Sequence, residues 1–416
     1  MKLILISILL FFFCFISKAD YLFIPMDEVQ SNHLKAYGIT YEVLKQDNKV
    51  EWLLNYRGGS FIFKSKKEFE SLLNNEGVYF EILSKSDASE IKKQINADSD
   101  SLSITTLNYA PKIAIYAYPK RPIDNAVKLA LNYANIPFDI IFDSEIMSGK
   151  LAQYDVLHLH HEDFTGQYGK FYATYGRQEW YIKQQKDFEK TAKKYKFSKV
   201  SQLKLAIAKK IKEFCADGGF LFSMCGATDT YDIALAAEDL DICDFMYDGD
   251  PPDRNASAKL NFENTFAFKD FKIKLNPYEY EYSDIDNQSH ERGLNEENDF
   301  FNLIRFSGKS SPIPTILTQN HKNKIKGFMG QTTAFKKELI KPDVILMSNS
   351  DVTNEVRYIH GYYGKGMWTY LGGHDPEDYR HFVGEEVTEI HTYPNSPGYR
   401  LILNNILLPA ISKKKK

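Results

Sequence analysis

The pattern of apolar and polar positions divides the chain of 416 residues into a leader and a folded part. Residues 1–19 start with the basic Lys2, continue as an apolar stretch and end in small residues before Asp20. This order is typical of a signal peptide, so we expect an exported protein, periplasmic or secreted. The apolar stretch is shorter than the roughly 20 residues that span a bilayer. No later segment is apolar enough, so we expect no membrane span after cleavage.

Residues 20–110 are predicted to form a small α+β module. Apolar runs of strand length flank one stretch with helical spacing: strands at 21–24 and 50–54, a helix at 33–45. Paired glycines at 58–59 mark a turn. The polar stretch 84–107 predicts a linker.

Residues 111–411 alternate between strand-like and helix-like segments: strands at 112–117, 138–142, 154–160 and 220–224, helices at 124–135 and 202–217. This alternation predicts an α/β fold with a doubly wound parallel sheet. Two insertions interrupt it, a basic and aromatic one at about 161–200 and a weakly periodic one at about 239–340. A hairpin at 356–371 and a helix at about 397–408 close the domain, and residues 412–416 form a basic tail.

Composition and charge narrow the functional classes. A chain with 43% hydrophobic and 26% charged residues is neither disordered nor fibrous. The net charge of −3 provides no basic field, which argues against nucleic acid as a partner. Three cysteines follow the leader, Cys215, Cys225 and Cys243. This odd and small number excludes a disulfide framework, so we expect three free thiols, of which Cys225 reacts fastest.

Cys225 stands where the strand 220–224 ends and a helix begins, with Gly226 and Ala227 following. A sharp turn between strand and helix exposes a nucleophile at the carboxyl edge of the sheet, and a helix N-terminus favours a thiolate. The N–H of Gly226 can donate to an oxyanion. The alternative is a small buried cysteine packed beneath the helix.

His374 follows a predicted strand in the sequence Gly-Gly-His-Asp-Pro-Glu, which ends at Glu377. A thiol nucleophile needs a base, and the base needs a group that orients it. His374 supplies a base, and a carboxylate a few residues later in the sequence supplies the group that could orient it. The alternative is a surface histidine that caps a turn.

The segments around Cys225 and His374 resemble those of the class I glutamine amidotransferase-like superfamily. Its members carry a cysteine at the turn after a central parallel strand and a late His-Pro-Glu. The resemblance implies that Cys225 is the nucleophile, His374 the base and Glu377 the orienting carboxylate. Asp375 competes for the last role because one extra residue separates His374 from the proline. The resemblance covers two stretches, roughly 112–235 and 342–411.

The whole chain is also similar to exported Bacteroidetes proteins labelled asparagine synthetase B, through the segments 55–60 and 158–163. True asparagine synthetases have an N-terminal cysteine nucleophile and a Ser-Gly-Gly-x-Asp-Ser loop for ATP. This chain has neither, so we do not expect ATP-dependent asparagine synthesis.

Histidines and a carboxylate crowd the end of the third predicted strand. His158 and His160 share one face of the strand, and Glu162 continues that face. These three residues can ligate a metal such as Zn²⁺, although thiol chemistry needs no cofactor. Alternatively, His160, His161 and Glu162 bind the substrate, or the segment simply packs. Arg57, beside the paired glycines, either holds a substrate carboxylate or lies on a surface turn.

Three functions remain open after the sequence analysis. The first is an exported cysteine-dependent amidohydrolase or amidotransferase-like hydrolase that acts on C–N bonds of a small molecule, peptide or glycan. The second is a non-catalytic accessory protein that binds a glycan or peptide, with the aromatic insertion as its platform or as a satellite core. The third is a metal-dependent hydrolase that uses the segment 158–163. The first predicts that Cys225 and His374 meet at the carboxyl edge of the sheet.

Overall fold

The computed structural model describes residues 20–120, 125–287 and 289–411. The predicted signal peptide 1–19 and the basic tail 412–416 lie outside these ranges. Within them, no helix combines the length and the apolar character that crossing a membrane requires.

The regular elements follow in chain order. The strands are β1 (Tyr21–Ile24), β2 (Val50–Leu54), β3 (Ser60–Lys64), β4 (Glu81–Leu83), β5 (Ser103–Leu107), β6 (Ile113–Tyr116), β7 (Asp139–Ile141), β8 (Val156–Leu159), β9 (Phe220–Met224), β10 (Phe300–Leu303), β11 (Lys324–Lys326), β12 (Phe335–Lys336), β13 (Ile345–Leu346), β14 (Ser348–Asn349), β15 (Glu355–Val356), β16 (Tyr358–Tyr363) and β17 (Gly366–Leu371). The helices are α1 (His33–Lys45), α2 (Lys67–Asn75), α3 (Lys85–Ala97), α4 (Ala126–Tyr133), α5 (Asp143–Met147), α6 (Tyr172–Tyr175), α7 (Glu179–Lys194), α8 (Val200–Ala216), α9 (Ala227–Ala236), α10 (Phe245–Asp248), α11 (Ser289–Arg292), α12 (Pro312–Leu317) and α13 (Pro397–Leu407).

The N-terminal part is a five-stranded antiparallel sheet in the order β4-β1-β3-β2-β5. The predicted strands at 21–24 and 50–54 and the predicted helix at 33–45 agree with β1, β2 and α1. The predicted linker is wrong, because α3 and β5 occupy that stretch. Ser84 and Asp87 form a capping box that starts α3. The helix looks polar in sequence since it buries only Ala88 and Ile95.

The central sheet has seven strands in the order β13-β16-β17-β9-β8-β6-β7. The pairs from β17 to β7 are parallel, whereas β13 and β16 add antiparallel pairs at one edge. The predicted α/β class with a parallel-strand sheet is therefore confirmed. The hairpin makes the sheet mixed, because two strands joined by a short turn must run in opposite directions.

Helices cover both faces of the central sheet. Ile113 and Ile115 of β6 belong to a core that includes α1, α4 and α13, while Ala114 and Tyr116 of the same strand belong to a core that includes α8 and α9. Because successive side chains of a strand point to opposite faces of the sheet, one buried strand contributes to both cores. Parallel strands with both faces covered read as continuous apolar runs, which is why these strands were predictable.

The first core also joins the N-terminal sheet to the central one. Tyr37 of α1 packs edge-on against Trp52 and Phe61, with ring centroids 6.2 Å and 5.4 Å apart. Its hydroxyl donates to Asn404 of α13. Arg400 of α13 donates to the carbonyl of Met26 at 2.8 Å. The two sheets therefore share helices α1 and α13 at their junction.

In its described residues, the insertion 239–340 carries short strands and short helices joined by longer irregular segments. Its last part, residues 328–334, returns to the central sheet beside the end of β9 and the end of β17. We call this segment the 328–334 loop. It completes the candidate site.

Candidate active site

A cavity of about 1100 Å³ opens at the carboxyl ends of β8, β9 and β17. Its polar wall includes His161, Glu162, Cys225, Gln331 and His374. Sites of α/β proteins lie at the carboxyl ends of the parallel strands, so the position of this cavity matches the position predicted for the site. Cys225 and His374, predicted to converge, line the same cavity.

Cys225 has a strained backbone. Its φ is 50°, in the left-handed region that L-residues other than Asn and Asp rarely adopt. Strain of this kind costs about 1–3 kcal/mol and persists where the surrounding structure enforces it. Here the amide and hydroxyl of Thr228 both donate to the Cys225 carbonyl, at 3.1 Å and 2.7 Å. The thiol is held at the sharp turn between β9 and α9, and only 2% of Cys225 is exposed.

The 328–334 loop supplies a hydrogen bond to the thiol. The backbone N–H of Gln331 donates to Cys225 Sγ over 3.3 Å. The same loop binds the segment of the candidate base, because His374 N–H donates to the carbonyl of Met329 at 2.9 Å. Sequence reasoning missed Gln331, since a backbone donor leaves no side-chain signature.

Two buried carboxyl groups hold the 328–334 loop in place. Thr332 Oγ1 donates to Asp229 Oδ1 at 2.9 Å. The backbone N–H groups of Thr333 and Ala334 donate to Asp286 Oδ1 at 2.8 Å and 2.9 Å. Burial raises the pKa of Asp229 to about 8 and that of Asp286 to about 7. These two carboxyls fix the loop and thereby the Gln331 donor.

Gly330 brings the two candidate catalytic segments together. A Cβ at this position would lie 2.9 Å from Cys225 Sγ and 3.0 Å from His374 N. Both distances are shorter than ordinary van der Waals contact. Only glycine leaves room for the loop between the thiol and the backbone of the histidine.

The imidazoles of His158, His160 and His374 form a chain that ends at His374. His158 Nδ1 lies 2.9 Å from the carbonyl oxygen of Phe222. His158 Nε2 lies 3.2 Å from His160 Nδ1, and His160 Nε2 lies 3.1 Å from His374 Nδ1. Each ring is thus within hydrogen-bond distance of the next.

This chain determines the tautomers of its members. Burial lowers the pKa of His158 to about 3 and holds that of His160 far below its ordinary value, so both are neutral. A carbonyl only accepts, so His158 Nδ1 carries the proton and its Nε2 accepts from His160 Nδ1–H. His160 Nε2 then accepts from His374 Nδ1–H. The lone pair of neutral His374 is therefore on Nε2, which can accept a proton.

The carboxylates after His374 point elsewhere. The carboxylate of Asp375 accepts the hydroxyl of Tyr399 at 2.7 Å and 2.8 Å and that of Thr388 at 3.0 Å. Glu377 bonds to Ser396 at the start of α13. Burial raises the pKa of both carboxyl groups. The predicted orienting role of Glu377 or Asp375 is therefore wrong. Both carboxylates bond to residues at the start of α13, and His160 is the residue that faces His374 Nδ1.

The three histidines that converge are not the predicted metal set. Potential ligand atoms of His160, His161 and His374 all lie within 4.8 Å of one another. His158 lies behind His160 with both ring nitrogens engaged. Glu162 turns back to accept the backbone N–H of His160 at 2.9 Å, and burial raises its pKa to about 7. The predicted set of His158, His160 and Glu162 is corrected accordingly.

Among the described residues, two other groups contain side chains that could ligate a metal. One comprises Asp241, Cys243 and Asp248, and the other comprises Asp378, His381 and Glu385. The ring of His381 stacks on that of His374 with centroids 4.3 Å apart. The second group therefore borders the cavity, whereas the first lies beyond the end of α9.

Arg57 lies in the N-terminal part rather than at the cavity. Its guanidinium donates to Asp27 at 2.7 Å and to Glu81 at 2.6 Å. The turn predicted at the paired glycines is present, and it directs Arg57 towards these two acids. The predicted role of Arg57 in holding a substrate carboxylate is corrected, because its charge is already paired.

Aromatic residues of the insertion 161–200 form one wall of the cavity. Phe171 contacts Tyr175, Trp180 and Tyr280 with ring centroids 5.7–6.3 Å apart, and all four line the cavity. Phe171, Tyr175 and Trp180 pack against the core that contains α8 and α9, whereas Tyr280 comes from the insertion 239–340. The insertion is thus both a satellite core and a surface that a ligand can contact.

The three cysteines of the described residues are free thiols, as predicted. Burial raises the pKa of Cys215 and of Cys243. Cys215 belongs to the core beneath α8, and the Cys243 thiol contacts the carbonyl of Thr165 at 3.3 Å. Of the three, Cys225 lines the cavity.

Comparisons with known proteins give only weak structural similarity. No family model matches it, and no curated protein is detectably similar. Among solved structures, the cytoplasmic protein STM3548 from Salmonella typhimurium has a TM-score of 0.36 at 10% identity, covering 71% of this chain and 97% of its own. The cytoplasmic protein STM1381 from the same species has 0.35 at 12%, covering 71% and 98%. A beta-galactosidase from Bacillus circulans has 0.26 at 9%, covering 64% and 29%. Scores this low support no functional inference.

Proposed function

We propose that the protein is a cysteine-dependent hydrolase of amide C–N bonds, with Cys225 as nucleophile and His374 as base. The observation that carries this proposal is the left-handed backbone of Cys225 at the end of β9. The proposal is supported by the position of Cys225 and His374 on the wall of one cavity. On this proposal, the central sheet is a doubly wound variant of the class I glutamine amidotransferase-like fold.

The site contains a group for each step of amide hydrolysis. His374 Nε2 accepts the thiol proton, and the Cys225 sulfur attacks the carbonyl carbon. The N–H groups of Gly226 and Gln331 stabilise the oxyanion. His374 then returns the proton to the leaving nitrogen, and the C–N bond breaks. Water hydrolyses the thioester, with His374 accepting its proton, to release the carboxylic acid and the thiol.

The imidazole chain replaces the carboxylate of a conventional triad. A carboxylate orients a histidine by accepting its Nδ1–H. In this protein, His160 Nε2 accepts that proton from His374. A neutral acceptor stabilises an imidazolium less than a carboxylate does, so we expect a slow enzyme.

The size of the cavity favours a substrate larger than a free amino acid amide. A volume of about 1100 Å³ lies just above the range of ordinary ligand pockets, which measure roughly 300–1000 Å³. The aromatic wall of Phe171, Tyr175, Trp180 and Tyr280 suits the apolar faces of a peptide or glycan. We propose an amide carried by such a molecule, hydrolysed outside the cytoplasm.

The test is release of ammonia or amine from a panel of peptide and glycan carboxamides. We expect turnover by the wild type and none by Cys225→Ser. Cys215→Ser, a buried thiol on α8, is the matched control and should retain activity. A folded Cys225→Ser variant as active as the wild type would refute the proposal.

A further inference from the structure

We propose that His160, His161 and His374 bind one divalent transition-metal ion, for which Zn²⁺ is the expected occupant, and that this ion switches off the thiol chemistry. The metal site stands on the arrangement of the imidazoles. Only the inhibitory effect rests on the proposed function.

The three imidazoles come from the ends of β8 and β17, the two strands that flank β9 in the central sheet. His160 and His161 follow β8, while His374 is separated from His160 by 214 positions and follows β17. Two nitrogen ligands at about 2.1 Å from a tetrahedral Zn²⁺ lie about 3.4 Å apart. The 3.1 Å between His160 Nε2 and His374 Nδ1 is close to that spacing. One ring nitrogen from each of the three histidines lies within 4.8 Å of the others, so a small rotation of His161 completes the set.

His158 orients the central ligand. Metal-binding histidines usually donate their second N–H to an acceptor, which fixes the tautomer that presents a lone pair to the metal. His160 Nδ1–H has that acceptor in His158 Nε2, and Phe222 fixes His158 in turn. This arrangement directs the lone pair of His160 Nε2 towards His374. The sequence placed His158 in the metal set, but the structure gives it this supporting position.

Metal binding and thiol activation compete for the tautomer of His374. Without metal, Nδ1 of His374 carries the proton and Nε2 carries the lone pair. A metal at Nδ1 requires the lone pair there, so the proton moves to Nε2. A protonated Nε2 cannot accept the proton of Cys225. One ion therefore converts the base into a hydrogen-bond donor without any displacement of the backbone.

The test of the site is metal binding by the full mature chain after treatment with a chelator. Calorimetric titration with Zn²⁺ should give one site per chain, and Co²⁺ should give the intense visible bands of a tetrahedral ion. His161→Ala should weaken Zn²⁺ binding at least tenfold. His391→Ala, which removes an exposed histidine elsewhere, is the matched control and should bind as the wild type does.

Cys225→Ala separates this site from a site that uses the thiol. We expect it to bind Zn²⁺ as the wild type does, and we expect Co²⁺ in the wild type to show no thiolate charge-transfer band. Loss of binding in Cys225→Ala, or a charge-transfer band, would overturn the three-imidazole assignment. No binding by the wild type, or equal binding by folded His161→Ala, would do the same.

Alkylation of Cys225 distinguishes failure of the site from failure of the proposed function. Saturating Zn²⁺ should slow the reaction of Cys225 with iodoacetamide at least tenfold in the wild type. If Cys225 is alkylated rapidly and the protein binds no added Zn²⁺, the proposed hydrolase stands and the metal site is refuted. If the protein binds Zn²⁺ but the metal-free protein is alkylated slowly, the metal site stands and the role of Cys225 as nucleophile is refuted.

Discussion

Replacing Gly330 with alanine should slow the alkylation of Cys225 by about 10-fold, because a displacement of about 1 Å in a catalytic arrangement costs about 100-fold and the overlap here is about half as large. The new Cβ would lie 2.9 Å from Sγ and 3.0 Å from both Gly373 C and His374 N. Ordinary contacts begin near 3.4 Å, so the overlap is about 0.4–0.5 Å on two sides.

The overlap must be relieved by movement of the 328–334 loop. Gly373 N–H donates to the carbonyl of Thr332, and His374 N–H donates to that of Met329, both at 2.9 Å. These bonds couple the loop to the histidine segment, so a shift moves Gln331 and His374 together relative to the thiol. The 3.3 Å bond from Gln331 N–H to Sγ lengthens first. Overpacking of this kind also costs about 1–3 kcal/mol of stability.

The assay compares the second-order rate of iodoacetamide labelling at Cys225 with the free energy of unfolding in urea. Gly149→Ala is the matched control, because φ there is 83° and a Cβ would meet no atom within 4 Å. It should lose about 1–2 kcal/mol through backbone strain and label at the wild-type rate. A folded Gly330→Ala variant that labels as fast as the wild type would refute the geometry.

Three further predictions concern buried charges. Lys204→Met should lower the free energy of unfolding in urea by about 3–5 kcal/mol. The Lys204 ammonium lies 2.8 Å from the buried carboxylate of Asp143, and the substitution removes this cation. A loss under about 1 kcal/mol would contradict the importance of the ion pair. Asp232→Ala should cost about 3 kcal/mol, because the carboxylate accepts three backbone N–H groups from residues 266–268; an unchanged thermal midpoint would exclude that role. Burial raises the pKa of Asp229 to about 8. The folded chain therefore retains a proton that the unfolded chain releases near pH 4. Because the unfolded chain then binds fewer protons, the free energy of unfolding should fall as pH rises from about 4 to 8. Asp229→Asn should flatten this slope between pH 4 and 8, and an equal slope in both proteins would count against the assignment.

The elements around the site were predictable where burial shapes the sequence directly. β6, β8 and β9 are buried on both faces and therefore appear as mainly apolar runs, interrupted only by His158 in β8 and Ser223 in β9. The turn at Cys225 followed from the boundary between such a run and a helix. By contrast, α3 buries one narrow stripe and was mistaken for a linker.

The parts of the site that sequence reasoning missed depend on long-range geometry. Gln331 contributes a backbone N–H, which any residue except proline carries. The partner of His374 was expected among the next three residues, but His160 occupies that position from a strand 214 positions away. Local spacing cannot show which of several histidines will meet, because β8 and β17, which flank β9 in the sheet, come from distant parts of the chain.

The assignment of Cys225 as nucleophile is tested most directly by iodoacetamide labelling of the native protein. Peptide mapping over time gives the relative rates at which Cys225, Cys215 and Cys243 react. Burial raises the pKa of Cys215 and Cys243 and suppresses their thiolates. Cys225 lies at the cavity with Gln331 N–H donating to its sulfur. We predict that Cys225 is labelled about 100-fold faster than the other two. Equal rates for all three would contradict the nucleophile assignment and with it the proposed hydrolase.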